Sequence, residues 1–554
     1  MAKIVLTAIN ARYVHSNPAV LYLKKAVEDI PRDVVVREFS INESPEKIIL
    51  QLKEEKADVI AISVYIWNSI LVRKLLPELK RNNSSLKIIL GGPEVSYNAL
   101  LWLDEHPEID YIITGGGEAA FRELALSGFS SEEKIIRCTN LPFSEIVFPY
   151  DDNEMKRLDG RFIYYESSRG CPFRCSYCLS SRSDQSLDFR DLEQVRSELD
   201  FFRVYRPKLV KFVDRTFNSK REHYRGIWDY ILNNFRGSDT RFHFEIYPDL
   251  LDFDDLRFLA TVPEGLFQLE MGIQSLKGET LAAINRGCRK EGWLDKVKTI
   301  ADMGNIHVHV DLIAGLPYES YPDFMNSFDT VHNTGADHFQ CGFLKVLPGT
   351  EMREKSGEFG LEYSPLPPYQ IESSRWISRS EIGKLERIAD LLEIYYNSGR
   401  FRETEKYLTG FYSSPFEFYE SLSEYSACRG SLDLREWDGA AELLLGFAAE
   451  KWSAKGELLT DYLRWDWCIS MKMHHFPKIL KSDATVNAKR QGYNYVSGFS
   501  DNGVIKFRGF EFGMDELRRS IFFRPESGEF SGFMDGMDFA MFLPDKRVIC
   551  FSIE

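Results

Sequence analysis

Short apolar runs alternate with amphipathic stretches from the start of the chain. KIVLTAI (3–9), DVVVREFS (33–40), ADVIAISVYIW (57–67), LKIILGG (86–92) and YIITGGGE (111–118) are continuous or alternating apolar segments of strand length. Between them, AVLYLKKAVEDI, SPEKIILQLKEEK, VRKLLPELKR and ALLWLDEH repeat apolar residues every three or four positions, the period of a helix. Ser44 followed by Pro45 gives a helix an N-cap and a first-turn proline. This alternation predicts a doubly wound parallel sheet over residues 1–130. Ligands of such sheets bind outside the carboxyl ends of the strands. The loops there are NARYVHSN, SVYIWNS, GGPEVS and GGGEAAF.

Residues 131–160 read as a connector, ending in the acidic DDNEMKRLDG. A second alternation follows over 161–355, with strands FIYYESS, LVKFVD, FHFEIYP, LFQLEMGI, IHVHVDLIAG and HFQCGFLKVLP separated by helical stretches. Six such units predict a partial or complete parallel (β/α) barrel, whose active site sits at the carboxyl ends of its strands. Residues 356–554 form a third region of α+β type, helical and aromatic-rich, then strand-like after about 485. This region, as a substrate domain or lid, is expected to shape the pocket.

Composition narrows the function classes. The net charge of −15 weighs against a general duplex-binding surface, so nucleic acid is not an expected partner. KMHHFPKILK (472–481) is a local basic stretch that also reads as a solvated edge. No apolar run reaches the ~18–20 residues of a membrane span. The start, MAKIVLTAINARYVH, lacks the apolar core and cleavage site of a signal peptide, so a cytoplasmic protein is expected. Nine cysteines in such a chain do not suggest a disulfide framework. Cys138, Cys288, Cys341, Cys428, Cys468 and Cys550 stand singly and read as small buried apolar residues, with Cys468 also weighed as a catalytic thiol.

The other three are crowded. SRGCPFRCSYC places Cys171, Cys175 and Cys178 directly after the first strand of the second alternation. A structural zinc site takes four ligands, usually in two pairs, and the nearby sequence offers one triplet. A [4Fe–4S] cluster takes thiolates on its irons, and three would leave one iron open. Three bare thiols are the remaining reading.

CPFRCSYC resembles the cluster motif of the radical S-adenosylmethionine (SAM) superfamily, with Tyr177 in its aromatic slot. Further motifs follow in order: FVDRTFN with Asp214, FHFEIYPDLL with Glu245, LEMGIQS with Gln274, INRG with Arg286, and DLIAGLPYE with Asp311. The resemblance implies that Cys171, Cys175 and Cys178 hold a [4Fe–4S] cluster. It also implies that Tyr177, Asp214, Glu245, Gln274, Arg286 and Asp311 line the S-adenosylmethionine site. Taken singly, Asp214 and Asp311 also read as strand-end caps and Arg286 as a surface residue.

A doubly wound domain before such a barrel resembles the cobalamin-dependent branch of that superfamily, including members with an uncharacterised C-terminal domain. Cobalamin contacts would come from Asn10, Tyr13, His15, Ser63, Tyr65, Gly91, Gly92, Pro93, Glu94, Gly116, Gly117 and Glu118. The D-x-H-x-x-G motif that supplies a lower-face cobalt ligand in many methyltransferases is absent, and His15 is not assigned as a cobalt ligand. The chemistry implied is reductive cleavage of S-adenosylmethionine, hydrogen abstraction by a 5′-deoxyadenosyl radical, and methylation of the unactivated carbon by methylcobalamin. The resemblance implies an external electron donor of flavodoxin or ferredoxin type. The alternatives are radical cyclisation or rearrangement with the same cofactors, a non-catalytic cobalamin or redox sensor, and an RNA-modifying enzyme, against which the acidic balance weighs. The substrate, small molecule or peptide, is not legible.

Overall fold

The structure is a computed structural model describing residues 3–81, 83–137, 141–181, 187–287, 292–429, 432–452, 456–470 and 475–553. Cys138, Cys288 and the first three residues of KMHHFPKILK lie outside the described residues. The chain divides into two compact units. One comprises residues 1–327, 334–336 and 341–382; the other comprises 328–333, 337–340 and 383–554.

The first unit opens with a six-stranded parallel sheet: β1 (Lys3–Asn10), β2 (Asp33–Ser40), β3 (Val59–Ser63), β4 (Lys87–Gly91), β5 (Tyr111–Thr114) and β6 (Ile135–Arg137). Their order is β2-β1-β3-β4-β5-β6. Ile4, Val5, Leu6, Ile88 and Leu90 are fully buried between the helical layers, as continuous apolar runs require. Ser44 caps Pro45–Glu54 as its sequence predicts, accepting the Lys47 N–H.

Two expectations fail here for physical reasons. The sheet runs past residue 130, because Ile135–Arg137 pairs with β5 as a sixth strand. The third strand stops at Ser63 instead of continuing to Trp67. The Asn68 amide turns the chain there, accepting from Tyr65 N–H and donating to the carbonyls of Ile9 and Ser63.

The second sheet comprises β7 (Ile163–Tyr165), β8 (Leu209–Phe212), β9 (Arg241–Ile246), β10 (Phe267–Gln274), β11 (His307–Ala314) and β12 (His338–Phe343), of which β7–β11 lie wholly in the same unit. Its order, β12-β11-β10-β9-β8-β7, is linear, so the six predicted strands form a partial barrel. Side chains alternate along them. Phe244, Leu269, Met271, Val308 and Val310 are fully buried on one face. The other face carries Lys211, His243, Glu245, Glu270, His309 and Asp311, at every second position of β8–β11.

In the second unit, helices Arg402–Thr409, Pro415–Ala427, Trp437–Lys451, Gly456–Ser470 and Asp483–Ser497 precede two three-stranded antiparallel sheets spanning Ser500–Gly513 and Ile521–Phe551. Strand structure thus begins later than about 485. A capping box between Ser482 and Thr485 starts one more helix, and Val496, Phe507, Phe512, Phe522 and Phe551 pack into the core that follows it. Among the described residues no helix is long and apolar enough to cross a membrane.

Candidate active site at the carboxyl ends of the strands

The cysteine loop leaves the carboxyl end of β7 and is held from three sides. Asp214, just after β8, accepts hydrogen bonds from Ser167 N–H at 3.0 Å and from the hydroxyls of Ser167 and Ser168 at 2.6 Å each. Cys171 Sγ lies 3.5 Å from Thr216 Oγ1. The Phe173 ring packs on Tyr247, beyond β9, with centroids 4.3 Å apart. Ser176 N–H donates to the Ile284 carbonyl, in the loop beyond β10. Cys175 is buried, while Cys171 and Cys178 are half-buried, and burial pushes the Cys178 thiol up.

Arg286 reaches back into this loop. Its Nη1 donates to Cys175 Sγ at 3.6 Å and to Tyr177 Oη at 3.4 Å, and its Nη2 donates to the Gly272 carbonyl at 2.5 Å. It is therefore not a surface arginine. Gln274 sits at a break in strand register and holds φ +69°, a left-handed conformation uncommon outside glycine. A Cβ at Gly272 would displace the end of the Gln274 side chain from its present position.

Several polar atoms end here unsatisfied. Gln274 Oε1 and Arg286 Nε are buried without a hydrogen-bond partner. Burial pushes the Glu245 carboxyl up to about 7, and it has no hydrogen-bond partner among the described residues. Asp311 Oδ1 lies 3.0 Å from His309 Nε2, and burial raises its carboxyl. Unsatisfied buried polar groups of this kind ask for a ligand with hydroxyl, amino and carboxylate groups. That set matches S-adenosylmethionine, and three thiols beside it suit a cluster with one open iron.

Asp214 does not belong to that set. It is 1% exposed with both oxygens engaged by the serines, and burial pushes it up to about 6 despite those donors. Its carboxylate ties the start of the cysteine loop to the end of β8. His243, which the sequence offers only as a distant zinc ligand, sits instead beside Glu270 and His309, two residues that no motif marks. His243 Nε2 lies 3.0 Å from Glu270 Oε2, and His309 Nδ1 lies 3.8 Å from the same oxygen. Burial works against the Glu270 charge, but the two imidazoles outweigh it and hold the carboxyl at about 2. The alternation in FHFE, LEMG and HVHVD carried that signal.

The loops at the carboxyl edge of the first sheet fall into two groups. Some residues remain available. Tyr13 is 71% exposed, with the Arg161 guanidinium 4.3 Å over its ring, and Trp67 is 44% exposed and stacked on Tyr65 at 4.4 Å. Gly91, Gly116 and Gly117 are half-buried, and Pro93 is exposed. Gly92, at φ +104°, passes so close to β3 that a Cβ would lie 2.6 Å from the Val64 carbonyl oxygen. Exposed aromatic surface over close-approaching backbone suits a broad planar ligand such as the corrin of cobalamin.

Other residues face inward and serve the loops themselves. Asn10 Nδ2 donates to Glu38 at 2.7 Å and to the His15 carbonyl at 3.0 Å. Ser63 Oγ accepts from Asn17. Glu118 pairs with Arg169 at 2.7 Å, two residues before Cys171. Glu94 is 3% exposed and accepts the Tyr369 hydroxyl at 2.5 Å. Each of these four side chains thus has a partner within the protein. His15 Nδ1 lies 2.5 Å from Tyr164 Oη, so one ring nitrogen is engaged by the barrel. Cys468 is buried with its thiol raised by burial, the state of an inert structural cysteine.

Three stretches of the chain match known families. Residues 4–125 match the family described as B12 binding domain, residues 165–331 the radical SAM superfamily, and residues 357–501 DUF4080, a protein family of unknown function. The chain is 23% identical over 445 residues to 2-(S-pantetheinyl)-carbapenam-3-carboxylate methyltransferase of Streptantibioticus cattleyicolor, covering 68% of this chain and 63% of that protein. It is 24% identical to the cobalamin-dependent radical SAM methyltransferase TokK of Streptomyces tokunonensis, covering 56% of this chain and 50% of that one. The chain thus spans less than two thirds of the length of these relatives. The solved structure of the cobalamin-dependent S-adenosylmethionine radical enzyme OxsB with aqua-cobalamin bound has the same fold, at TM-score 0.58 and 14% identity, over 84% of this chain and 80% of that one. The cofactors are a [4Fe–4S] cluster, S-adenosylmethionine and cobalamin. In chain order, the protein thus carries a match to a B12-binding domain, a match to the radical SAM superfamily and a match to DUF4080.

Proposed function

We propose that the protein is a methyltransferase acting on an unactivated carbon. The observation that carries this reading is Arg286, which joins the cysteine loop to the unsatisfied polar group after β10, in the same compact unit as the B12-binding sheet. When bound, the cluster and S-adenosylmethionine supply hydrogen abstraction, and cobalamin supplies the methyl group.

The chain's own residues supply placement. Cys171, Cys175 and Cys178 hold the cluster, and Asp214 with its two serines fixes the loop that carries them. Arg286 and Gln274 orient the amino-acid end of S-adenosylmethionine, with Tyr177 against Arg286. Glu245 and Asp311 accept from hydroxyl or amino groups. Tyr13, His15, Tyr65, Gly91, Gly92, Pro93, Gly116 and Gly117 frame the corrin, while Asn10, Ser63, Glu94 and Glu118 hold those loops in place. The electron comes from an external donor of flavodoxin or ferredoxin type, in a cytoplasmic setting.

The test is anaerobic reconstitution with cobalamin, followed by iron, sulfide and corrinoid analysis and incubation with methyl-labelled S-adenosylmethionine and cell extract. Label in a carbon-bound product supports methylation. Production of 5′-deoxyadenosine without label transfer replaces it with another radical outcome, and zinc in place of iron removes both.

A further inference from the structure

Beyond β12 the chain makes a strap, residues 344–373, that stays within the first unit. Its two passes run against each other: Val346 N–H donates to the Tyr369 carbonyl and Ile371 N–H to the Leu344 carbonyl, while Leu344 N–H is tied to Ala314 at the end of β11. From this base it touches both cofactor regions. Met352 N–H donates to the Ser176 carbonyl at 2.8 Å, between Cys175 and Tyr177. Asn285, next to Arg286, donates to Glu351 at 2.9 Å. Gly349 lies so close over the Tyr97 ring that any side chain there would strike it.

A further contact ties the strap to the first sheet. Tyr369 donates its hydroxyl to Glu94 at 2.5 Å; both residues are buried. Glu94 lies two residues beyond Gly92, in the turn that follows β4. Tyr369 holds φ +59°, a conformation an aromatic residue rarely adopts. Strain of this kind persists only where the surroundings impose it, and it clusters at functional positions. Arg353 stacks over the Tyr369 ring at 5.2 Å and donates to the Val346 carbonyl, supporting that ring from the strap side.

We infer that Tyr369, inside the DUF4080 region, is a positioning residue for cobalamin: it clamps the Gly91–Glu94 turn against the end of β3. The inference rests on the B12-binding reading of the first sheet. It gives part of a family of unknown function a definite task, completing the cofactor site of another domain.

Tyr369→Phe keeps the ring and removes the donor, leaving Glu94 buried and unpaired. Glu94→Gln keeps an acceptor for the hydroxyl. Hydroxocobalamin is titrated into each cluster-reconstituted full-length protein and followed by visible spectrum, with iron counted on the same samples. The expected result is about tenfold weaker binding and a shifted corrinoid spectrum for Tyr369→Phe, and a smaller loss for Glu94→Gln, which keeps the acceptor, at unchanged iron content. Wild-type affinity and spectrum in Tyr369→Phe overturns the inference. So does Glu94→Gln as weak as Tyr369→Phe, or parallel loss of iron and corrinoid, which marks general damage. Wild-type protein that takes up no corrinoid removes the underlying B12 reading instead.

Discussion

Replacing Asp214 with alanine tests whether the cysteine loop is held from β8. The carboxylate collects three donors, one of them the Ser167 backbone N–H, in a site 1% exposed. The two hydroxyls can rotate, and Ser167 Oγ has a second neighbour in His223 Nε2 at 3.2 Å. The backbone N–H has no such freedom. Orphaning it, with partial loss at the hydroxyls, costs about 2–4 kcal/mol. Asp214→Asn keeps one acceptor oxygen and costs about 1 kcal/mol. A pH trend separates the two terms. The folded-state carboxyl titrates near 6, above its ordinary 3.8, so between those values the folded protein binds more protons than the unfolded one. Stability contributed by this group therefore falls as pH rises from about 4 to 6, by up to about 3 kcal/mol, and Asp214→Asn lacks that slope. The assay is thermal unfolding across pH, with iron counted after anaerobic reconstitution. Full iron and an unshifted midpoint in Asp214→Ala would show that Asp214 does not hold the loop.

Three further outcomes are expected. Glu245 titrates near 7, and ribose hydroxyls favour its ionised form, so S-adenosylmethionine binding strengthens as pH rises toward 7, by up to about tenfold per unit. Glu245→Gln binds more weakly and without that slope, and equal slopes in a binding titration would refute the role. Asp466 accepts the N–H groups of Glu403 and Thr404 at 3.1 and 2.8 Å, capping a helix from another segment. Asp466→Ala lowers the unfolding free energy of the second unit by up to about 2 kcal/mol and leaves the iron content unchanged, read by calorimetry and metal analysis. Cys468→Ala retains S-adenosylmethionine cleavage, measured as 5′-deoxyadenosine, and costs about 1 kcal/mol of stability; loss of cleavage in a folded variant would make it a catalytic thiol after all.

The strands of both parallel sheets were legible because their residues are buried on fixed periods. Ile4–Ile9 and Ile88–Leu90 sit between helical layers, and burial alternates along most of β10 and β11. The end of β3 was not, because a single side chain, Asn68, ends it through contacts with Ile9 and Ser63. Ile135–Arg137 was missed because three residues carry too little pattern. At the site, motif order singled out Glu245, Gln274, Arg286 and Asp311, yet could not show which groups have partners elsewhere in the fold, as Asp214, Glu94 and Glu118 do. That distinction depends on partners far away in sequence: Ser167, Tyr369 and Arg169. Tyr369 itself lies among ordinary aromatic residues, and nothing local marks it.

Glu94 and Tyr369 stand 275 positions apart. During synthesis at 5–20 residues per second, the ribosome needs about 15–55 s to pass from one to the other. The first sheet, built from neighbouring strands, has its own core and is free to collapse while the barrel is still emerging. Its β4 turn waits for the clamp. A nascent or truncated chain that stops before the strap therefore carries a formed sheet with an unfinished mouth, and acquisition of the corrinoid becomes a late event in the life of the polypeptide.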